Sequence, residues 1–127
     1  MNQRRKTIDT LFAHFEKGEW DEIAPLFADE AQIIQHFGQD TSAQSIATFI
    51  ENGKNGPLSK VGNPVYLERR VSLIGTTGFV EQHITQLNIR EYVFKLPVCI
   101  VGQFDTNGKI TLLEEYLDPS PLAVLFR

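Results

Sequence analysis

Four runs in the second half of the chain decide the fold: VYLERRVSLI (65–74), GFVEQHITQLNI (78–89), YVFKLPVCIVGQFD (92–105) and KITLLEEYL (109–117). Each is rich in β-branched and aromatic residues, and each is bounded by turn-forming residues, which together mark strands. Gly75-Thr76-Thr77-Gly78 and Asp105-Thr106-Asn107-Gly108 have the composition of hairpin turns, and residues 88–91 join the middle pair. Connections this short predict an antiparallel meander. Pro97 interrupts the third run without an N–H to donate, which predicts a bulge or bend there.

The first half reads as helices around one strand. Ile8, Leu11, Phe12 and Phe15 fall at helical spacing, so a helix over 6–15 buries one face, and Gly18 ends it. Trp20, Ile23, Ala24 and Phe27 predict a second short helix, with Pro25 tolerated near its start. Residues 31–37 alternate as a strand, with Ile33, Gln35 and Phe37 on one side and Ile34 and His36 on the other. Thr41 or Ser42 is suited to cap a further helix carrying Ile46, Phe49 and Ile50. Residues 52–63, with three Gly and one Pro, read as a loop with room for one short turn of helix. Helices followed by a meander predict an α+β class: a cone-like curved antiparallel sheet with the N-terminal helices packed on its concave face.

A length of 127 residues fits a single domain, 1–127, able to bury a core without covalent staples. Nine Phe suggest aromatic packing around a core or cavity. The net charge of −4 argues against a nucleic-acid partner, and the Arg4-Arg5-Lys6 run reads as a solvated helix start. Cys99 has no second cysteine to pair with and lies in an apolar run, so it reads as a small buried hydrophobe. No run approaches membrane-spanning length and residues 1–5 lack the apolar stretch of a secretory signal, so a cytoplasmic location with no membrane partner is expected. The apolar run 122–126, following two prolines, is expected to pack over a sheet edge, the cone mouth or a partner subunit.

Several segments together resemble the nuclear transport factor 2-like superfamily, in its SnoaL-like and limonene-epoxide-hydrolase-like branch. Phe15-Glu16-Lys17-Gly18-Glu19-Trp20-Asp21, running on to Leu26-Phe27-Ala28-Asp29-Glu30-Ala31, is similar to that family's opening. Leu96-Pro97-Val98, Gly102-Gln103-Phe104, Gly108-Lys109-Ile110 and the closing Glu115-Tyr116-Leu117-Asp118 are similar in order and spacing. The resemblance covers nearly the whole chain and implies a cone fold, an apolar pocket and a homodimer formed through the outer face of the sheet. It does not imply one reaction, because the superfamily holds isomerases, epoxide hydrolases, cyclases, dehydratases and binding modules.

The family's functional positions carry over unevenly. For ketosteroid isomerase-like members, the base position falls on Gln35, the helix Tyr near Leu11, and the later Asp on Ile100 or Val101, which argues against that activity. For epoxide-hydrolase-like members, the closing-strand Asp falls on Glu115, the Asn on Gln35 and the Tyr on Ile33. Their Arg and second Asp fall on His83 and Thr85 with one residue gapped, or on Ile84 and Gln86 without the gap. The gapped version also matches a Leu at Leu87.

Alternation alone places Glu81, His83 and Thr85 on one face, and Leu113, Glu115 and Leu117 on one face of the last strand. Glu115 with His83 is therefore the candidate acid–base pair, with Gln35, Thr85, Ile33 and Leu113 lining the substrate space. His14 and His36 read as structural. No metal motif, phosphate loop or nucleophile elbow is present, so no cofactor is expected. Two functions remain open: a cofactor-independent acid–base enzyme acting on a small, largely apolar molecule, or a non-catalytic binding or dimeric interaction module.

Overall fold

A computed structural model describes residues 2–56, 59 and 61–126. Helix α1 (Gln3–Lys17) starts at Asn2, whose side chain accepts from the Arg4 N–H, and stops at Gly18 in the left-handed region (φ 68°). Its buried stripe of Ile8, Leu11, Phe12 and Phe15 meets Ile33, Phe79, Val98, Ile100 and Leu113 of the sheet in one core. Burying each of those four side chains contributes about 1.5–3 kcal/mol, enough to hold the helix on the concave face. Arg4 and Arg5 are not merely solvated: they donate to the Gly78 and Val71 carbonyls at 2.9 and 2.8 Å, tying the helix start to the sheet.

Two 3-10 turns, Trp20–Glu22 and Ala24–Leu26, replace the expected second helix, because Phe27 already enters strand β1 (Phe27–Phe37). The expected cap at Thr41 or Ser42 is also overturned. Residues Asp40–Ser45 form strand β2, paired antiparallel with β1, and Ser45 caps helix α2 (Ile46–Asn55) by accepting from the Thr48 N–H. α2 thus extends into the stretch read as a loop, of which residues 57, 58 and 60 lie outside the described residues.

Strands β3 (Val65–Ile74), β4 (Gly78–Ile89), β5 (Tyr92–Phe104) and β6 (Ile110–Leu117) form the expected meander, and the open sheet has the order β2-β1-β6-β5-β4-β3. The sheet is mixed rather than wholly antiparallel, since β1 runs parallel to β6. Pro97 brings no bulge: β4 and β5 pair without interruption from Gly78↔Gln103 to Ile89↔Tyr92, including Ile84↔Pro97. Pairing with β6 begins only at Val98, so no strand faces the missing donor on that side. Register shifts lie elsewhere: between Phe27 and Gln32 in the β1–β6 pairing, between Gln103 and Phe104 in the β5–β6 pairing, and in β3 between Leu67 and Arg70, where Glu68 takes φ 55°. That extra residue reverses the parity of β3, so Tyr66 and Val71 both share the face of Thr85 and Glu81.

At the other end of the concave face, Ile89, Phe94 and Leu96 form a second apolar cluster. The C-terminal 3-10 segment Ser120–Phe126 lays Leu122, Val124 and Leu125 over it, together with Val61. Cys99 is half-buried on the outer face rather than in the core. Among the described residues no helix is long and apolar enough to cross a membrane.

Candidate functional site

The pairing registers set the site before any side chain is considered. Gln35 pairs with Glu115, Glu115 with Ile100, and Ile100 with Glu81, so these four form one row across the concave face. Glu115 and Glu81 are two strand spacings apart, about 10 Å at the backbone. His83 and Thr85 follow Glu81 at alternate positions on β4, opposite Val98 and Leu96. Gln35, Ile33, Leu113, Glu115, His83 and Thr85 are therefore all on the concave face. Ile33 and Leu113 are buried in the main core, beneath the site rather than open to it.

Glu115 stands at the end of a polar chain. Asn52 on α2 donates to Gln44 (3.0 Å), Gln44 donates to Gln35 (2.8 Å), and Gln35 donates to the Oε1 of Glu115 (3.0 Å). All three amides point the same way, so each bond polarises the next. Glu115 keeps some accessibility while its carboxylate is enclosed by protein. Burial pushes that carboxyl above the usual glutamate range, against the opposing effects of the Gln35 bond and His83, and Glu81 adds to the rise.

His83 is held from both ring nitrogens. Nδ1 lies 2.6 Å from Glu81 Oε1 and Nε2 lies 2.9 Å from Thr85 Oγ1. Its partner is thus Glu81, and the direct His83–Glu115 pair expected from sequence does not form: Glu115 Oε1 accepts from Gln35 instead. Glu81 is fully buried, and its other oxygen accepts from Arg69 Nε at 3.0 Å. Arg69 in turn reaches Asp9 of α1 at 3.2 Å and lies 4.5 Å over the Phe12 ring. The Glu81 contact at Nδ1 leaves Nε2 directed toward Thr85 and the interior.

Tyr66 completes the constellation. Its ring packs against His83 (4.7 Å) and Phe12 (5.1 Å). Burial, reinforced by the charges of Glu115, Glu16 and Glu81, holds its hydroxyl well above the usual tyrosine range, so it remains a donor. Sequence reasoning missed Tyr66 and Arg69, because the β3 bulge is invisible in the pattern. Glu81 had been placed on the correct face without a role.

On the outer face, His36 is better supported than expected. It lies 2.6 Å from Glu114 and 3.1 Å from Thr41, and stacks on Tyr116 at 4.5 Å. A groove of about 670 Å³ runs past Arg70, Gln82, Ile84, Pro97, Cys99 and Tyr116, and its lining also includes Glu68, Arg69, His83 and Val98.

No protein-family model matches the sequence, and no curated protein matches it. Solved structures do. An epoxide hydrolase of the limonene-epoxide-hydrolase-like type from M. tuberculosis superimposes with a TM-score of 0.72 at 14% identity, over 93% of this chain and 80% of that one. SalBIII, described as an epoxide hydrolase/cyclase-like enzyme in pyran ring formation in the polyether salinomycin, gives 0.71 at 15% identity, over 92% of each chain. A nuclear transport factor 2-like protein from Anabaena variabilis gives 0.73 at 14% identity, over 91% and 86%. Identities this low carry the architecture and not the chemistry. The chain has the α+β cone fold of nuclear transport factor 2-like proteins, the fold shared by limonene-epoxide-hydrolase-like structures.

Proposed function

We propose that the chain is a cofactor-independent acid–base enzyme that opens or closes an oxygen-containing ring in a small, largely apolar molecule. The observation that carries this reading is Glu115: a carboxyl held above the usual glutamate range by burial, oriented by three aligned amides and sharing the concave face with His83. A carboxyl that keeps its proton toward neutral pH is suited to protonate an epoxide or ether oxygen. His83 Nε2, in contact with the Thr85 hydroxyl, is suited to take a proton from the attacking water or hydroxyl through Thr85. Gln35 and the Tyr66 hydroxyl would orient the oxygen atoms. The apolar cluster around Leu96 and the C-terminal segment favours a neutral substrate. The enzyme is proposed to act in the cytoplasm, in keeping with a lone unpaired cysteine.

The test is hydration of a panel of small cyclic and alkyl epoxides, followed as diol formation across pH. Turnover with a bell-shaped profile is expected. Saturable binding of the same epoxides without turnover would instead favour the non-catalytic binding module.

We also propose a homodimer through the outer face. The exposed Tyr116, the half-buried Cys99 and the groove beside them supply a contact surface larger than isolated apolar residues would. Light scattering at micromolar concentration is expected to give twice the 14.4 kDa chain mass; a monomer mass would refute the dimer.

A further inference from the structure

We infer that Thr85 is a nucleophile, and that the Thr85–His83–Glu81 series gives this chain an acyl-transfer activity toward small apolar esters or lactones. This rests on the reading of His83 as a base given above, and extends it from activating water to activating a side-chain hydroxyl.

The geometry is that of a nucleophile, its base and the group that orients the base. Thr85 Oγ1 lies 2.9 Å from His83 Nε2, while His83 Nδ1 lies 2.6 Å from Glu81 Oε1. All three occupy alternate positions of β4, so the pleat itself lines them up on one face without a loop. Such a series works only if the acid is immobile and the base cannot turn over. Glu81 is fully buried and anchored by Arg69, which is fixed by Asp9 and by the Phe12 ring. His83 is enclosed by the Phe12 and Tyr66 rings at 5.3 and 4.7 Å. Thr85, in contrast, is only half-buried, as a group that must reach a substrate requires.

Tyr66 is the register partner of Thr85 on β3 and supplies a hydroxyl donor on the same face. That hydroxyl keeps its proton and is suited to donate to an oxyanion developing at the attacked carbonyl. The apolar surroundings of Thr85, with Leu96 directly opposite, select a neutral aliphatic acyl group.

In the acylation step Thr85 Oγ1 forms a bond to the carbonyl carbon and passes its proton to His83 Nε2. The bond to the leaving alkoxide breaks, and Nε2 returns the proton to it, releasing an alcohol. Water then attacks the Thr85 ester, again giving its proton to Nε2, and the acid is released as Thr85 regains that proton. No oxidant, metal or further reactant is needed.

The experiment is incubation of the full chain with 4-nitrophenyl butyrate, reading nitrophenol release and locating the butyryl group by peptide mass spectrometry. A burst with the butyryl group on Thr85 is expected. Thr85→Val should reduce the burst by at least about 100-fold, Thr85→Ser should retain it, and Tyr66→Phe should slow it by about 100-fold. Circular dichroism of each variant controls for folding, and adduct mapping in the unmutated chain decides the matter if Thr85→Val does not fold. An acyl group found only on lysines or the N-terminus, or a burst unchanged in folded Thr85→Val, overturns the inference. If epoxide turnover persists in that case, only the nucleophile is refuted; if it is absent too, the role of His83 as base falls with it.

Discussion

Glu115→Gln is expected to lower kcat for ring opening by about 10²–10⁴-fold while leaving the protein at least as stable as before. The two effects have one cause. The amide keeps the bond to Gln35 but has no proton to give. The carboxyl it replaces is held above its unfolded pKa by burial, so its ionisation opposes folding. The sign follows from linkage: stability associated with Glu115 is fully present below the ordinary glutamate range and declines as pH rises through the raised folded value. Urea unfolding of wild type and Glu115→Gln between about pH 4 and pH 8 should show the variant's advantage growing with pH. Loss of activity with gain of stability marks a residue retained for function. A variant that is destabilised at pH 8 and fully active would reject the assignment.

Glu81→Ala has the opposite profile. It leaves His83 Nδ1 and Arg69 Nε without their shared acceptor at a position that is fully buried. Breaking a buried charged network by removing one member costs about 3–5 kcal/mol. The lower end is expected, because Arg69 retains Asp9. Replacing Glu81, Arg69 and His83 together by Leu, Met and Phe should recover much of that loss, since no buried charged group is then left unpaired and Asp9 is half exposed. The triple variant should nevertheless be inactive. Equilibrium urea unfolding separates these outcomes, and a single variant as stable as wild type would show that the network does not bear on folding.

How far the residues announced this arrangement depends on which constraint placed them. The meander, the hairpin turns and the α1 stripe were legible because period and turn chemistry are local properties of the chain. The same alternation put Glu81, His83 and Thr85 together on β4, and Leu113 with Glu115 on β6. Strand β2 was hidden: DTSAQS has little β propensity and is almost wholly exposed, and it is a strand because β1 offers it an edge. The parallel pairing of β1 with β6 was hidden too, since a strand's own pattern does not state the direction of its neighbour. The β3 bulge moved the most chemistry. With Glu68 at positive φ, Tyr66 and Arg69 reach the concave site, and the partner of His83 becomes Glu81 anchored by Arg69. The Arg69 anchor came from cross-strand register, whereas the Glu81–His83 contact itself is local to β4.

Glu115 and His83 share the concave face, and burial dominates the Glu115 carboxyl. The most direct measurement is an NMR titration of the Glu115 side-chain carboxyl in ¹³C-labelled protein, in wild type and in His83→Gln. The expected midpoint lies above the ordinary glutamate value of about 4.3 and moves higher again in His83→Gln, because His83 is one of the groups that lowers it. A midpoint at or below the ordinary value, unmoved by that substitution, would contradict it.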